Sequence, residues 1–211
     1  MSRLAAFVAA SVSLHCAAAA IDVEVRDSAG NPEPDVAVYA MPAAGPQEAR
    51  PGKVLAQIEQ VDREFVPYLT VLQTGTTASF PNRDPILHHV YSFSPAKAFE
   101  IKLYTGKSPS TVTFDKPGIV TLGCNIHDWM IAYVLVVSTP WFGKTDSSGV
   151  VKLRDLPPGS YAVQAWHPQQ KASAEPVTVA AEGQATANVR VSLEISPRRP
   201  KYKPPLDRLK Y

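Results

Sequence analysis

Cysteine is scarce in this chain of 211 residues, which contains only Cys16 and Cys124. Cys16 lies in an N-terminal stretch with the features of an export signal, so we expect the mature chain to keep Cys124 alone. A single cysteine excludes an internal disulfide. A lone thiol in an oxidising compartment is a liability unless a metal or another group occupies it. The alternative is a buried, inert cysteine that packs as a small apolar side chain.

Long apolar runs are also absent, except at the start. Residues 1–20 predict a signal peptide, because Arg3 gives a positive start, an apolar run follows, and alanines 18–20 offer a cleavage site. Lipid attachment at Cys16 is the alternative, although the two residues before it fit an attachment box poorly. We therefore predict an exported, periplasmic protein with no stable membrane insertion after the signal is removed.

A large net charge is also absent, since the net charge of the whole chain is only +2. Residues 198–211 carry six basic residues and one Asp, which is a net charge of +5. Once Arg3 is removed with the signal peptide, the rest of the chain has a net charge of −4. The tail at 196–211 is basic and proline-rich, and we predict that it is disordered. It is either a solubilising end or a docking arm for an acidic partner. Nothing in the sequence indicates nucleic-acid binding.

Helical periodicity is missing as well. Short apolar alternations recur instead, each bounded by Pro, Gly or Ser. Closely spaced strands without helices are typical of β-sandwiches, so the fold class is predicted to be all-β.

Three metal donors of suitable type lie within seven residues, namely Cys124, His127 and Met130. The apolar runs on either side predict two strands joined by this loop. A fourth donor must come from elsewhere, and His88 and His89 are the obvious candidates. Two imidazoles and a thiolate in a plane, with a weak axial thioether, form a blue-copper electron-transfer site. No nucleophile–base pair indicates catalysis, so we do not expect an enzyme.

Turn motifs near both ends of the chain carry a first resemblance. They comprise Val23, Val25, Asp27, Gly30 and Pro32, then Thr145, Asp146, Gly149, Leu156, Pro157, Gly159 and Tyr161. Residues 21–45 and 139–195 thus resemble the two halves of a carboxypeptidase regulatory-like (transthyretin-like) β-sandwich. The resemblance implies a small, discontinuous, non-catalytic domain with the metal-motif segment inserted between its strands.

The middle segment, residues 53–138, carries a second resemblance. The matching positions are Phe65, Pro67, Leu69, Gly75, Asn82, Asp84, His88, Val90, Pro117, Gly118, Val120, Leu122 and Cys124. This segment resembles a cupredoxin, a Greek-key β-sandwich, and its metal loop is close to that of amicyanin. The resemblance implies one type 1 copper and single-electron transfer between periplasmic redox proteins, such as a dehydrogenase and a c-type cytochrome. The whole chain also resembles exported bacterial proteins named for methylamine utilisation.

The cupredoxin resemblance implies a complete ligand set. His88, Cys124 and His127 would lie in the plane, and Met130 would be axial. His88 is preferred to His89 because the family's ligand stands two residues before a β-branched residue, here Val90.

Where the family has an Asn after the ligand, this chain has His89. That Asn usually ties the ligand strand to the Cys loop. His89, Asn125 or the pair Asn82 and Asp84 would replace it, since such outer contacts orient metal ligands.

Two other functions fit the same residues. The first is a copper carrier or store without redox turnover. The second is a non-catalytic binding or scaffold module whose metal site is vestigial or filled by zinc.

Overall fold

A computed structural model describes residues 18–46, 55–107, 109–182 and 185–197, and these residues form seventeen strands. The all-β prediction is confirmed. Within these ranges no helix is present, and therefore none that could cross a membrane. Most of the predicted signal peptide, and tail residues 198–211, lie outside the described residues.

In chain order the strands are β1 (Ala19–Arg26), β2 (Ala37–Pro42), β3 (Leu55–Gln57), β4 (Glu59–Val61), β5 (Glu64–Val66), β6 (Leu69–Gln73), β7 (Thr76–Ser79), β8 (His88–Ser94), β9 (Lys97–Tyr104), β10 (Thr111–Phe114), β11 (Gly118–Gly123), β12 (Ile131–Val137), β13 (Phe142–Lys144), β14 (Val150–Leu156), β15 (Gly159–Trp166), β16 (Val177–Ala181) and β17 (Thr186–Ser192). β1 begins two residues before the predicted cleavage point, with Ala19 buried in the strand.

The strands near the two ends of the chain form one sandwich. A three-stranded sheet has the order β14-β1-β17, and a four-stranded sheet has the order β13-β2-β15-β16. β1 alternates buried and half-buried residues along its length, because successive side chains in a strand point to opposite faces. Its fully buried residues Ile21, Val23 and Val25 share a core with residues of both sheets.

The middle strands form a second sandwich, which positions the candidate site. A five-stranded sheet has the order β6-β12-β11-β8-β9, and it packs on a three-stranded sheet with the order β10-β7-β3. β11 is the central strand and pairs with β12 and β8, both antiparallel. The core between the sheets includes the fully buried Phe80, Phe114 and Leu122. A separate β4–β5 hairpin adds Phe65 to this core.

A smaller apolar cluster joins the two sandwiches. Ala37 of β2 packs there with Leu69 of β6 and with Leu135 and Val137 of β12. The Lys144 ammonium strengthens this junction, because it donates to the Leu69 carbonyl at 2.9 Å.

Candidate metal centre

The predicted metal loop, residues 124–130, joins the neighbouring antiparallel strands β11 and β12. Cys124 follows β11 directly, and Met130 immediately precedes β12; both side chains are buried. The Met130 backbone N–H donates to the His127 carbonyl at 2.9 Å, which tightens the end of the loop. His127 is half-buried, at the solvent side of the site.

His88 reaches the same point from the adjacent strand. It is the first residue of β8, which pairs with β11 at Tyr91 and Gly123. Donor atoms of His88, Cys124 and His127 lie within 4.8 Å of one another. The Cys124 Sγ is 3.9 Å from His127 Nδ1, and the rings of His88 and His127 are 4.9 Å apart. His88 Nδ1 is fully buried without a hydrogen-bond partner among the described residues, so its lone pair is free for a metal.

His89 has different neighbours. Its Nε2 contacts Glu100 Oε1 at 2.9 Å, and its ring is 5.5 Å from that of Tyr91. It is not part of the three-residue cluster that contains His88.

Met130 belongs to the same core as Cys124 and is 1% exposed. Both residues also line one groove on the outside of the sheet. The Met130 side chain is therefore buried in the same core as Cys124.

Asp84 fixes the orientation of the His88 ring. Its Oδ2 accepts a hydrogen bond from His88 Nε2 at 2.7 Å, so in the neutral imidazole Nδ1 is the nitrogen without a proton. The carboxylate itself is fixed by backbone N–H groups of Asp62 and Arg63, each at 2.8 Å. Those two residues form the turn of the β4–β5 hairpin, with φ of 53° and 58°. The hairpin thus orients the His88 imidazole through one carboxylate.

Asn82 anchors the loop that carries Asp84. Its amide donates to the carbonyls of Ile86 and Tyr104, both at 2.8 Å, and its Oδ1 accepts from the Asp84 N–H at 2.9 Å. Asn125, another predicted support, is exposed on the metal loop. The sequence does not predict the contribution of the hairpin turn, because an Asp-Arg turn lacks the Asn-Gly or Asp-Gly signal of such hairpins.

The electrostatics of the cluster favour a thiolate. Burial acts to raise the pKa of Cys124, but the neighbouring His88 imidazole and the backbone N–H groups around the sulfur outweigh it and lower the pKa. Burial acts to lower the pKa of His88, yet Cys124 and Asp84 raise it overall. Burial, followed by the charge of His88, lowers the pKa of His127. A metal cation bound among these donors would favour the same thiolate, because a thiol must lose its proton to bind a metal.

No family model matches this chain, and no curated protein matches it. Several solved structures match part of the chain. A copper-containing nitrite reductase from Thermus scotoductus SA-01 is 21% identical with a TM-score of 0.38, and the match covers 44% of this chain but only 25% of that one.

Two smaller proteins match over 99% of their own length. A purple cupredoxin from Nitrosopumilus maritimus is 21% identical over 39% of this chain, with a TM-score of 0.35. A mutant of amicyanin in its reduced Cu(I) form is 18% identical over 47% of this chain, with a TM-score of 0.37. All these TM-scores are below 0.5.

Proposed function

We propose that this chain is a type 1 copper protein that carries single electrons between exported redox proteins. The observation that carries the proposal is the convergence of one cysteine sulfur and two imidazoles within 4.8 Å, with the buried Nδ1 of His88 free of hydrogen bonds among the described residues. Buried polar atoms are normally paired, and an unpaired one in a native structure calls for an explanation such as an ion.

The donor set suits copper in two oxidation states. His88, Cys124 and His127 would hold the copper, and the Met130 thioether would be a fourth, weaker ligand. Copper bound in this way supplies a one-electron couple, with thiolate and thioether suiting Cu(I). The role of the protein is to keep the donors in place, which the strands β8 and β11 and the Asp84 contact would do. Little rearrangement would then accompany a change of charge.

The proposal includes the organisation and partners inferred from the sequence. The middle sandwich would be the electron carrier, and the sandwich built from residues 21–45 and 139–195 would be a non-catalytic companion domain. Donors and acceptors would be periplasmic redox proteins, such as a dehydrogenase and a c-type cytochrome. The chain would act as a carrier and not as an enzyme.

The deciding experiment is a Cu(II) titration of the full mature chain, followed by visible absorption and EPR. We expect an intense thiolate-to-copper band and a small copper hyperfine splitting. Cys124→Ser should remove both. The neighbouring histidines give a matched pair, since His88→Ala should abolish the band and His89→Ala should keep it.

A colourless wild-type protein that binds only Cu(I) or zinc would contradict electron transfer. Tight Cu(I) binding would then indicate a copper carrier or store. No metal binding at all would indicate a scaffold module.

A further inference from the structure

A groove of about 400 Å³ opens on the outer face of the five-stranded sheet, beside the metal loop. Tyr91 and Phe93 of β8 line one side, and Asp128 and Ile131 line the other. This is the solvent face of the sheet, because Phe93 and Ile131 are exposed while their neighbours Ser92 and Ala132 point to the interior. The volume is near the lower end of ligand clefts, about 300–1,000 Å³, which suits one or two fused rings.

The aromatic side of the groove is held in place. The rings of Tyr91 and Phe93 are 5.0 Å apart. Tyr91 lies against the bare backbone of Gly123, where an added Cβ would come within 2.8 Å of its ring. Phe93 is 84% exposed, so a large ring face is left to solvent at the edge of the groove. Such a face gains from covering by another aromatic ring or by a cation.

The other side carries a negative charge. Asp128 is exposed, and it makes no ion pair with any residue in the described part of the chain. No Lys, Arg or His is among the residues lining the groove. The groove therefore offers two ring faces, an aliphatic contact from Ile131 and one carboxylate without a compensating cation.

We propose that this groove binds a small planar aromatic cation. Its ring would lie between the Tyr91–Phe93 pair and Ile131, and its positive group would lie at Asp128. A neutral aromatic would lose the carboxylate contact, and an anionic one would be repelled by it. The proposal goes beyond the copper function and needs no metal, since every contact comes from the side chains named.

The test uses three probes of similar size: 1-naphthylmethylammonium, 1-naphthylmethanol and 1-naphthoate. Their dissociation constants are measured by NMR titration on the full mature chain, metal-free under reductant and again after copper loading. We expect the ammonium to bind most tightly and the carboxylate most weakly. Asp128→Asn should weaken the ammonium about 2- to 5-fold, as expected for an exposed charge pair, and should leave the alcohol unchanged.

Phe93→Ala should weaken all three probes about 2- to 10-fold, since it removes a stacking face. Leu103→Ala is the matched control for the aromatic change, because Leu103 is 48% exposed on β9 and does not line the groove. Glu182→Gln is the control for the charge change, since Glu182 is exposed in the other sandwich. Both controls should bind the probes as wild type does.

Equal binding of the three probes, or binding unaffected by both groove variants, would overturn the proposal. The proposal would also be wrong if the ammonium did not bind while a basic c-type cytochrome did, and if binding of that cytochrome depended on Asp128. The groove would then be a docking surface for a protein. The result of this binding test is independent of the result of the copper titration. A chain that never develops the blue band but binds the ammonium in the groove overturns only the proposed electron transfer.

Discussion

At the scale of the single residue, the site depends on which nitrogen of His88 carries the proton. The ring donates from Nε2 to Asp84, so the buried Nδ1 is left for a metal. Two backbone N–H groups hold the carboxylate, which therefore cannot turn away to solvent without losing both. Outer carboxylates of this kind fix the tautomer and the ring orientation of a histidine ligand.

Asp84→Ala should therefore weaken copper binding about 10- to 100-fold, the usual effect of removing such a support. The reason is that His88 would lose both its preferred tautomer and its fixed orientation. Competition against a chelator of known affinity measures the change. Asp115→Ala is a matched control, because that carboxylate is exposed and pairs with Lys97. Equal copper affinities for both variants would contradict the role of Asp84.

At the scale of the element, turns decide how the strands meet. Gly149 lies in the turn between β13 and β14 with φ +75°, and a Cβ there would stand 2.6 Å from the Val25 carbonyl oxygen. Gly30, in the turn that follows β1, has φ +85° but nothing within 4 Å of a Cβ. Both positions favour glycine because φ is positive, but only at Gly149 would a Cβ also clash with a neighbouring atom.

The two glycines give a matched pair for a stability test. Gly30→Ala should cost about 1–2 kcal/mol, the penalty of a left-handed conformation for a residue with a Cβ. Gly149→Ala should cost the same amount plus about 1–3 kcal/mol for displacing the Val25 carbonyl. Urea unfolding of the full chain measures both free energies. Similar losses for the two variants would show that the turn at Gly149 relaxes freely.

At the scale of the whole molecule, the contact between the sandwiches includes a buried histidine. His167 follows β15, is 6% exposed, and has its ring 6.5 Å from that of Tyr68 in the other sandwich. Burial lowers its pKa; Asp35 acts against this, and Lys144 adds to it. The folded protein therefore holds this imidazole neutral at a pH where the unfolded chain begins to protonate it.

This difference predicts how stability changes with pH. The unfolded histidine titrates near its ordinary pKa of about 6.5, and the folded one titrates lower. The contribution to stability is thus fully present above about pH 6.5 and is lost as the pH falls towards the folded pKa. We expect the free energy of unfolding of wild type to fall more steeply than that of His167→Gln between about pH 7.5 and about pH 5. Urea titrations of the metal-free chain measure both slopes, and parallel slopes would contradict the prediction.

The sequence by itself determined the features that are local along the chain. Alternating apolar residues specified the strands, as in β1, because the side chains of a strand alternate between its faces. The spacing of Cys124, His127 and Met130 put three donors on one loop, since seven residues cannot separate them far. The all-β class follows from such local patterns, and it is confirmed.

Only the tertiary structure decided what depends on distant segments. His88 and His89 are neighbours in sequence, but the pairing of β8 with β11 brings His88 to Cys124, while His89 meets Glu100. The hairpin turn that holds Asp84 lies more than twenty residues before it. The groove beside Tyr91 likewise needs three strands side by side. Strand register and packing place these groups, and neither can be deduced from the local pattern of a single chain segment.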